Sequence, residues 1–323
     1  MLRRHALKNA ILLTTLTTAA LISACGGSSS DPHVPAPAPT PAPDIVALAQ
    51  ATPELGILVE AVVAAGLVDT LKGAGPFTVF APTNTAFAAA LTELGLTKDQ
   101  LFANKPLLTA VLTYHVLPAK VASNAIPFGK AITTVQGSIL KIDNVAGAVV
   151  ITDGRNRTSK VVTPDVAASN GVVHIVDKVI LPADKNIVQT AQALPQFSIL
   201  VEAVVAANLQ GTLSGTGPFT VFAPTNTAFA NLLTELGVSK ADLLANTALL
   251  TKVLTYHVVS GRVLKAEVPL NTAIKTVQGD TLTVGSNLAI TDQRARTSNI
   301  TATDVLTSNG VIHVIDKVIL PKP

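Results

Sequence analysis

The sequence predicts an α+β fold, built twice. Two observations carry that prediction. A long stretch of the chain repeats: GPFTVFAPTNTAF at residues 75–87 returns letter for letter at 217–229, ILVEAVVAA at 57–65 returns at 199–207, and VLTYHV at 111–116 returns at 253–258, each 142 positions on. Within each copy, apolar residues first recur at helical spacing and later alternate at strand spacing. That order suits helices packed against a mostly antiparallel sheet or sandwich. A period this long marks a duplicated domain and not a solenoid, and 323 residues leave each copy room for its own core.

Taken in order, Thr52 reads as a cap and Pro53 as the opening residue of a helix, where the missing N–H of proline costs nothing. Ile57, Leu58, Ala61, Val62 and Ala65 then share one face, Glu60 points away, and Gly66 is the stop. Residues 77–81 (FTVFA) form a short strand, and Thr83 caps the next helix, whose Phe87, Leu91 and Leu94 make a core stripe. Residues 135–142 and 148–152 read as an antiparallel pair, 160–163 as a further strand, and 171–181 as a long β-branched strand that closes the copy. NGVVHIVDKVILP at 170–182 comes back as NGVIHVIDKVILP at 309–321, only 139 positions on. Three residues are therefore missing from the second copy, most simply in the hairpin around residues 143–147, whose shorter counterpart is 285–287. The connection Ala183-Asp184-Lys185 is short, so the copies should be packed together or restrained in angle.

Ahead of the repeat, basic Arg3, Arg4 and Lys8, an apolar zone from Ala10 to Ile22 and the small residues before Cys25 have the layout of a secretory leader over residues 1–24. The apolar zone is shorter than the ~20 residues a membrane span needs. Cys25 is the only cysteine, so no disulfide can form within the chain. Its setting is similar to the lipobox of bacterial lipoproteins, which implies acylation of that thiol and attachment to a membrane. Gly26 in place of an aspartate favours an outer-membrane destination, on a periplasmic or surface face. Residues 25–43, rich in Gly, Ser and then alternating Pro, are a tether that would reach roughly 50 Å if extended at ~3.1 Å per residue.

Of the 23 lysines and arginines, the three in the leader depart with it, which leaves 20 against 20 aspartates and glutamates. A formally neutral chain with nine phenylalanines, two tyrosines and no tryptophan lacks both the positive field and the stacking surface of a nucleic-acid binder.

Residues 77–87 (FTVFAPTNTAF), the Tyr114-His115 pair and residues 170–181 (NGVVHIVDKVIL) resemble the first box, the central tyrosine-histidine motif and the second box of the fasciclin (FAS1) domain family, and all three recur in the second copy. The resemblance spans both copies, 44–182 and 186–321, almost end to end. It implies that each is a wedge-shaped β-sandwich flanked by helices, with a role in adhesion between cells or between cells and matrix.

Tyr114-His115 and Tyr256-His257 are the first suspects for catalysis, with His174 and His313 near them if the last strands pass close. No cysteine or G-x-S-x-G elbow accompanies them, and buried, backbone-bonded imidazoles are the plainer reading. His174 and Asp177, three apart on a strand, face opposite sides and cannot share a metal. No metal, phosphate or cofactor motif is present, so no catalytic residue, metal or cofactor is assigned. The family resemblance makes Tyr114, His115, Tyr256 and His257 possible partner contacts, but the acidic residue expected within DKVIL is Val179 or Val318, which does not carry integrin-type recognition over and fits core positions. The loops at 153–158 and 292–297 place Arg155 with Arg157, and Arg294 with Arg296, one residue apart. That spacing suits forking onto carboxylates or sulfates of an acidic polysaccharide, against the alternative of a plain solvated hairpin loop. The sequence thus favours a lipid-anchored envelope protein that binds a protein or glycan, with a carrier of an apolar lipid or pigment as the alternative, because a gap between helices and sheet would be lined by leucine and valine.

Overall fold

A computed structural model of the chain describes residues 42–323. The leader, Cys25 and the tether up to residue 41 lie outside the described residues.

The first domain runs α1 (Ile45–Gln50), α2 (Gly56–Ala64), α3 (Val68–Lys72), β1 (Phe77–Pro82), α4 (Asn84–Leu94), α5 (Lys98–Ala103), α6 (Lys105–Tyr114), β2 (Val116–Leu117), β3 (Ala131–Thr133), β4 (Ile139–Val145), β5 (Ala148–Thr152), β6 (Thr158–Ala168) and β7 (Gly171–Val176). The second repeats it as α7 (Ile187–Gln192), α8 (Ser198–Ala206), α9 (Gln210–Leu213), β8 (Phe219–Pro224), α10 (Asn226–Leu236), α11 (Lys240–Ala245), α12 (Thr247–Tyr256), β9 (Val258–Ser260), β10 (Ala273–Lys275), β11 (Thr281–Val284), β12 (Ala289–Thr291), β13 (Thr297–Thr307) and β14 (Gly310–Ile315). Each domain has one seven-stranded sheet, ordered β2-β1-β7-β6-β5-β4-β3 in the first. In each domain only one pair is parallel, β1–β7 in the first and β8–β14 in the second. The long strand β6 folds this sheet: up to Lys160 it pairs with β5, and from Val161 onward it pairs with β7 through two register shifts. Such irregularities bend a strand, and the bend turns one sheet into the two faces of a wedge.

Alternation along the central strands assigns the two cores. Val79 and Ala81 of β1, with Val173 and Ile175 of β7, face the helices and meet Leu58, Val62, Leu108, Val111 and Leu112. Phe80 and Val176 point the other way, into the wedge, where Tyr114, Leu117, Leu140, Ile142 and Ile151 complete a second cluster. The second domain divides in the same way. The α+β expectation holds, and the two FAS1-type boxes form the parallel pair at its centre.

The boxes owe their spelling to local bonding. Thr83 caps α4, accepting the Ala86 N–H at 3.2 Å, while the Asn84 side chain accepts from Ile57 N at 2.9 Å and donates to Pro53 O at 3.0 Å. Asn170 does the same for the other end of the domain: Oδ1 accepts from Ile45 N, and Nδ2 donates to Leu71 O and Gly73 O. Gly171 follows because a Cβ there would lie 2.2 Å from the Phe77 carbonyl oxygen.

Four expectations are corrected. Thr52 does not cap a helix: its hydroxyl donates back to Leu48 O at 2.9 Å, Pro53–Leu55 is a 3-10 turn, and the helix starts at Gly56. The strand expected at 135–142 begins at Ile139, because Gly137, at φ 96°, makes a turn in which Thr134 N donates to Ser138 O. The strand at 160–163 is part of an eleven-residue one. The closing strand stops at Val176, since Ile180 N and Leu181 N turn away to bond side chains of His115 and Asp153. The three-residue deletion does fall in the hairpin, where β11 and β12 are joined through residues 285–288.

Candidate functional site

Tyr114 and His115 close α6 and are both buried, His115 to 2% exposure. The tyrosine hydroxyl donates to Ile139 O at 2.7 Å across the wedge, and burial pushes its ionisation far above the ordinary phenol range. His115 Nε2 accepts the Ile180 N–H at 3.1 Å. That nitrogen is therefore unprotonated, and the ring proton sits on Nδ1, which donates to Val111 O at 2.7 Å. Burial, opposed by this backbone bond, lowers the imidazole to about 4. The second domain repeats the arrangement: Tyr256 donates to Thr281 O at 2.8 Å, and His257 bridges Val253 O and Ile319 N and is likewise lowered to about 4.

His174 and His313 share no partner with them. His174 accepts from Asp165 N at 3.1 Å and donates to Val121 O at 2.9 Å, stacked 5.7 Å from Phe80. His313 makes the equivalent bonds to Asp304 N and Val263 O. All four rings are backbone bridges with both nitrogens engaged. A general base needs a free nitrogen within reach of the proton it takes, and none of these rings offers one.

The paired arginines separate by role. Asp153 is 1% exposed and organises its own turn: Oδ1 accepts the N–H of Arg155 and of Arg157, each at 2.9 Å, and Oδ2 accepts from Leu181 N. Arg157 folds back on it with Nε at 3.0 Å and Nη2 at 2.7 Å, donates to Val179 O, and reaches Glu93 on α4 at 2.6 Å. The guanidinium beside Glu93 holds that carboxyl below the usual range. Asp292, Arg296, Glu235 and Val318 repeat the clamp in the second domain. The expectation of two free guanidiniums per loop is corrected: Arg157 and Arg296 bolt the loop to a helix and to the chain's return segment. Arg155 pairs with Asp184 at 3.2 Å, and Arg294 donates to Pro321 O at 3.2 Å while its residue stays exposed. Val179 and Val318 are buried core, as their spacing suggests.

Several concavities lie near these groups, among them a cavity of about 70 Å³ between Arg294, Leu236 and Leu249 in the second domain. An apolar cleft in the first domain, lined by Ile45, Leu58, Val62, Leu112, Val116 and His115, has a volume of about 60 Å³. Its counterpart in the second domain, floored by His257, has about 30 Å³. A polar groove of about 600 Å³ lies where the domains meet, between Lys141 and Asp143 of the first and Lys265, Ser286, Asn287, Thr303 and Asp304 of the second. Sequence reasoning foresaw the apolar gap and missed the groove, whose lining residues are far apart in the chain. The one available signal was the shortened 285–288 hairpin, which forms part of its wall. Among the described residues no helix is long and apolar enough to cross a membrane.

The fasciclin domain profile matches this chain twice, over residues 53–182 and 195–321. Transforming growth factor-beta-induced protein ig-h3 of Sus scrofa is 31% identical over 255 residues, 78% of this chain and 35% of its own length. Periostin of Homo sapiens is 29% identical over 262 residues, 79% of this chain and 29% of its own. The chain thus spans about a third of the length of these curated relatives. A solved FAS1 domain pair from the insect cell adhesion molecule Fasciclin I aligns over 83% of this chain and 97% of that one at 18% identity, with a TM-score of 0.43. Two matched profiles that together take up most of the sequence place the chain in the fasciclin-domain family, as a tandem pair of FAS1 domains.

Proposed function

We propose that this chain is an exported, lipid-anchored envelope protein that binds a protein or acidic polysaccharide through the exterior of its two FAS1 domains. The family is one associated with adhesion and binding. The observation that carries the reading is the contrast between the buried tyrosine-histidine motifs and the polar groove of about 600 Å³ that lies open between the domains. The buried motif side chains are engaged internally, so contact falls to outward groups: Lys265 in the groove, Arg294 and, beside the linker, Arg155. Membership of this family comes with no reactive constellation among the described residues, which favours binding over catalysis.

Retention on an immobilised acidic polysaccharide at low salt tests this. Arg155→Ser, Lys265→Ser and Arg294→Ser combined should abolish retention while the protein still melts cooperatively; undiminished retention would refute the assignment. Anchoring has its own test: Cys25→Ala should move the protein from the membrane fraction to the soluble one.

The apolar clefts favour a second reading, carriage of a small apolar molecule. Val63 and Val135, which line the first cleft, are exposed, and so are their second-domain equivalents Val205 and Val277. At about 60 and 30 Å³ the clefts are several-fold below the usual ligand volume and would have to open. Native mass spectrometry decides: a stoichiometric lipid or pigment on the purified protein supports carriage, and a bare mass supports surface binding.

A further inference from the structure

The contact between the domains is directional. Asn156, at the tip of the β5–β6 loop with φ 61°, uses its side-chain amide on the backbone of Leu306: Nδ2 donates to Leu306 O at 3.0 Å and Oδ1 accepts from Leu306 N. Lys141 on β4 reaches Asp304, whose side chain is 3% exposed, at 3.0 Å, and Asp143 at 3.1 Å. Ile139 packs with Leu264, Leu306 and Val311 in a small apolar cluster that spans the joint. Gly129 permits the approach: a Cβ there would come 3.0 Å from Ala266 Cβ. One face of the first domain thus meets a different face of the second. A head-to-tail contact of this kind propagates into a ring or an open chain when every module carries both faces.

The repeat lets each face be read in the copy that does not use it. The residues of the second domain equivalent to Gly129, Ile139, Lys141 and Asn156 are Asn271, Thr281, Thr283 and Ala295. None offers an apolar or charged contact of the same kind, and Asn271 fills the place where glycine allowed close approach. On the other face, Leu264 and Leu306 have Ala122 and Ala167 as their first-domain equivalents, while Asp165 and Val172 are kept. Elsewhere the two copies are identical over long runs. The full set of contact residues is therefore present only on the two faces that meet: the second domain's free face has lost its glycine, isoleucine, lysine and asparagine, and the first domain's free face keeps Asp165 and Val172 but has lost both leucines.

We propose that this joint is a built, single-use coupling: it locks the two FAS1 domains into one rigid body, fixes the walls of the groove between them, and ends the array at two. The outward face of each domain lacks the groups needed to add a further module or a second copy of the chain.

Two measurements test the proposal on the chain from Gly26 onward, which contains every described residue and omits the lone thiol. Spin labels at Ala89→Cys and Asn231→Cys, equivalent exposed positions on α4 and α10, should give a single narrow distance distribution. Adding Ile139→Thr, Lys141→Thr and Asn156→Ala, residues that the second copy already folds with, should broaden it several-fold. A broad distribution in the unaltered chain, or an unchanged one in the triple variant, would overturn the coupling. In sedimentation velocity the native chain should stay monomeric. Restoring both missing faces with Thr281→Ile, Thr283→Lys, Ala295→Asn, Ala122→Leu and Ala167→Leu should produce concentration-dependent head-to-tail association, and a graft that remains monomeric would refute the claim that these residues determine the joint.

Discussion

Four imidazoles that look like catalytic candidates in the sequence turn out to be hydrogen-bond bridges, and for His115 and His257 burial in that role has a pH signature. His115 and His257 lie near 4 in the fold against 6.5 for the free side chain. The unfolded chain therefore binds more protons than the folded one between those values. Stability from the neutral rings is complete above about pH 6.5 and is lost as pH falls toward 4, by roughly 3 kcal/mol per ring at about 1.4 kcal/mol per unit. Urea unfolding at a series of pH values should show a midpoint that is level above pH 7 and falls steadily from 6.5 to 5, where most carboxylates are still ionised. A level midpoint across that interval would mean the rings are not buried neutral. The arginines make a second contrast. Arg157→Ser leaves the buried Asp153 carboxylate without its cation and should cost about 3 kcal/mol, whereas Arg155→Ser removes a partly exposed pair and should cost less than about 1 kcal/mol; equal losses in chemical denaturation would contradict the division of roles. The sequence showed two arginines one residue apart but could not show that one of them turns inward, because its partner Glu93 is 64 positions away.

At the scale of elements, legibility followed the strength of the local signal. Helix α4 was readable because Thr83, Phe87, Leu91 and Leu94 give a cap and a stripe together, and β1 was readable as an apolar run bounded by turn residues. Helix α1 was not: six residues capped by Asp44 are too few to set a period. The start of β4 was misplaced because the Gln136-Gly137 turn sits inside an otherwise strand-like run. The extent of β6 was underestimated, since it carries Pro164 and a left-handed Asp165 at its bend. The boxes were easy to recognise, but their reason emerges only when Asn84, Asn170 and Gly171 are seen tying helices to the parallel pair. Gly171→Ala tests that directly. A Cβ 2.2 Å from Phe77 O cannot be absorbed by a side-chain shift, so β1 and β7 must part. The first domain should lose its cooperative melt while the second retains its own, and an unaltered first transition would contradict the packing described.

At the scale of the whole molecule, duplication was plain in the sequence and the joint was not. Lys141 meets Asp304 and Asn156 meets Leu306 across more than a hundred residues, distances at which no local pattern operates. The differences between two near-identical copies held that information, and the structure shows where to look for it. The two FAS1 domains use their family motifs to hold the interior together, and the proposed binding falls to the outside. Hydrogen–deuterium exchange with an acidic oligosaccharide bound is the most direct test. The account predicts new protection at residues 292–297, beside the linker at 153–158, and along the groove at 265 and 286–288, with none at 111–117 or 253–259. Protection confined to those two buried tyrosine-histidine segments, with the outer loops unchanged, would contradict it.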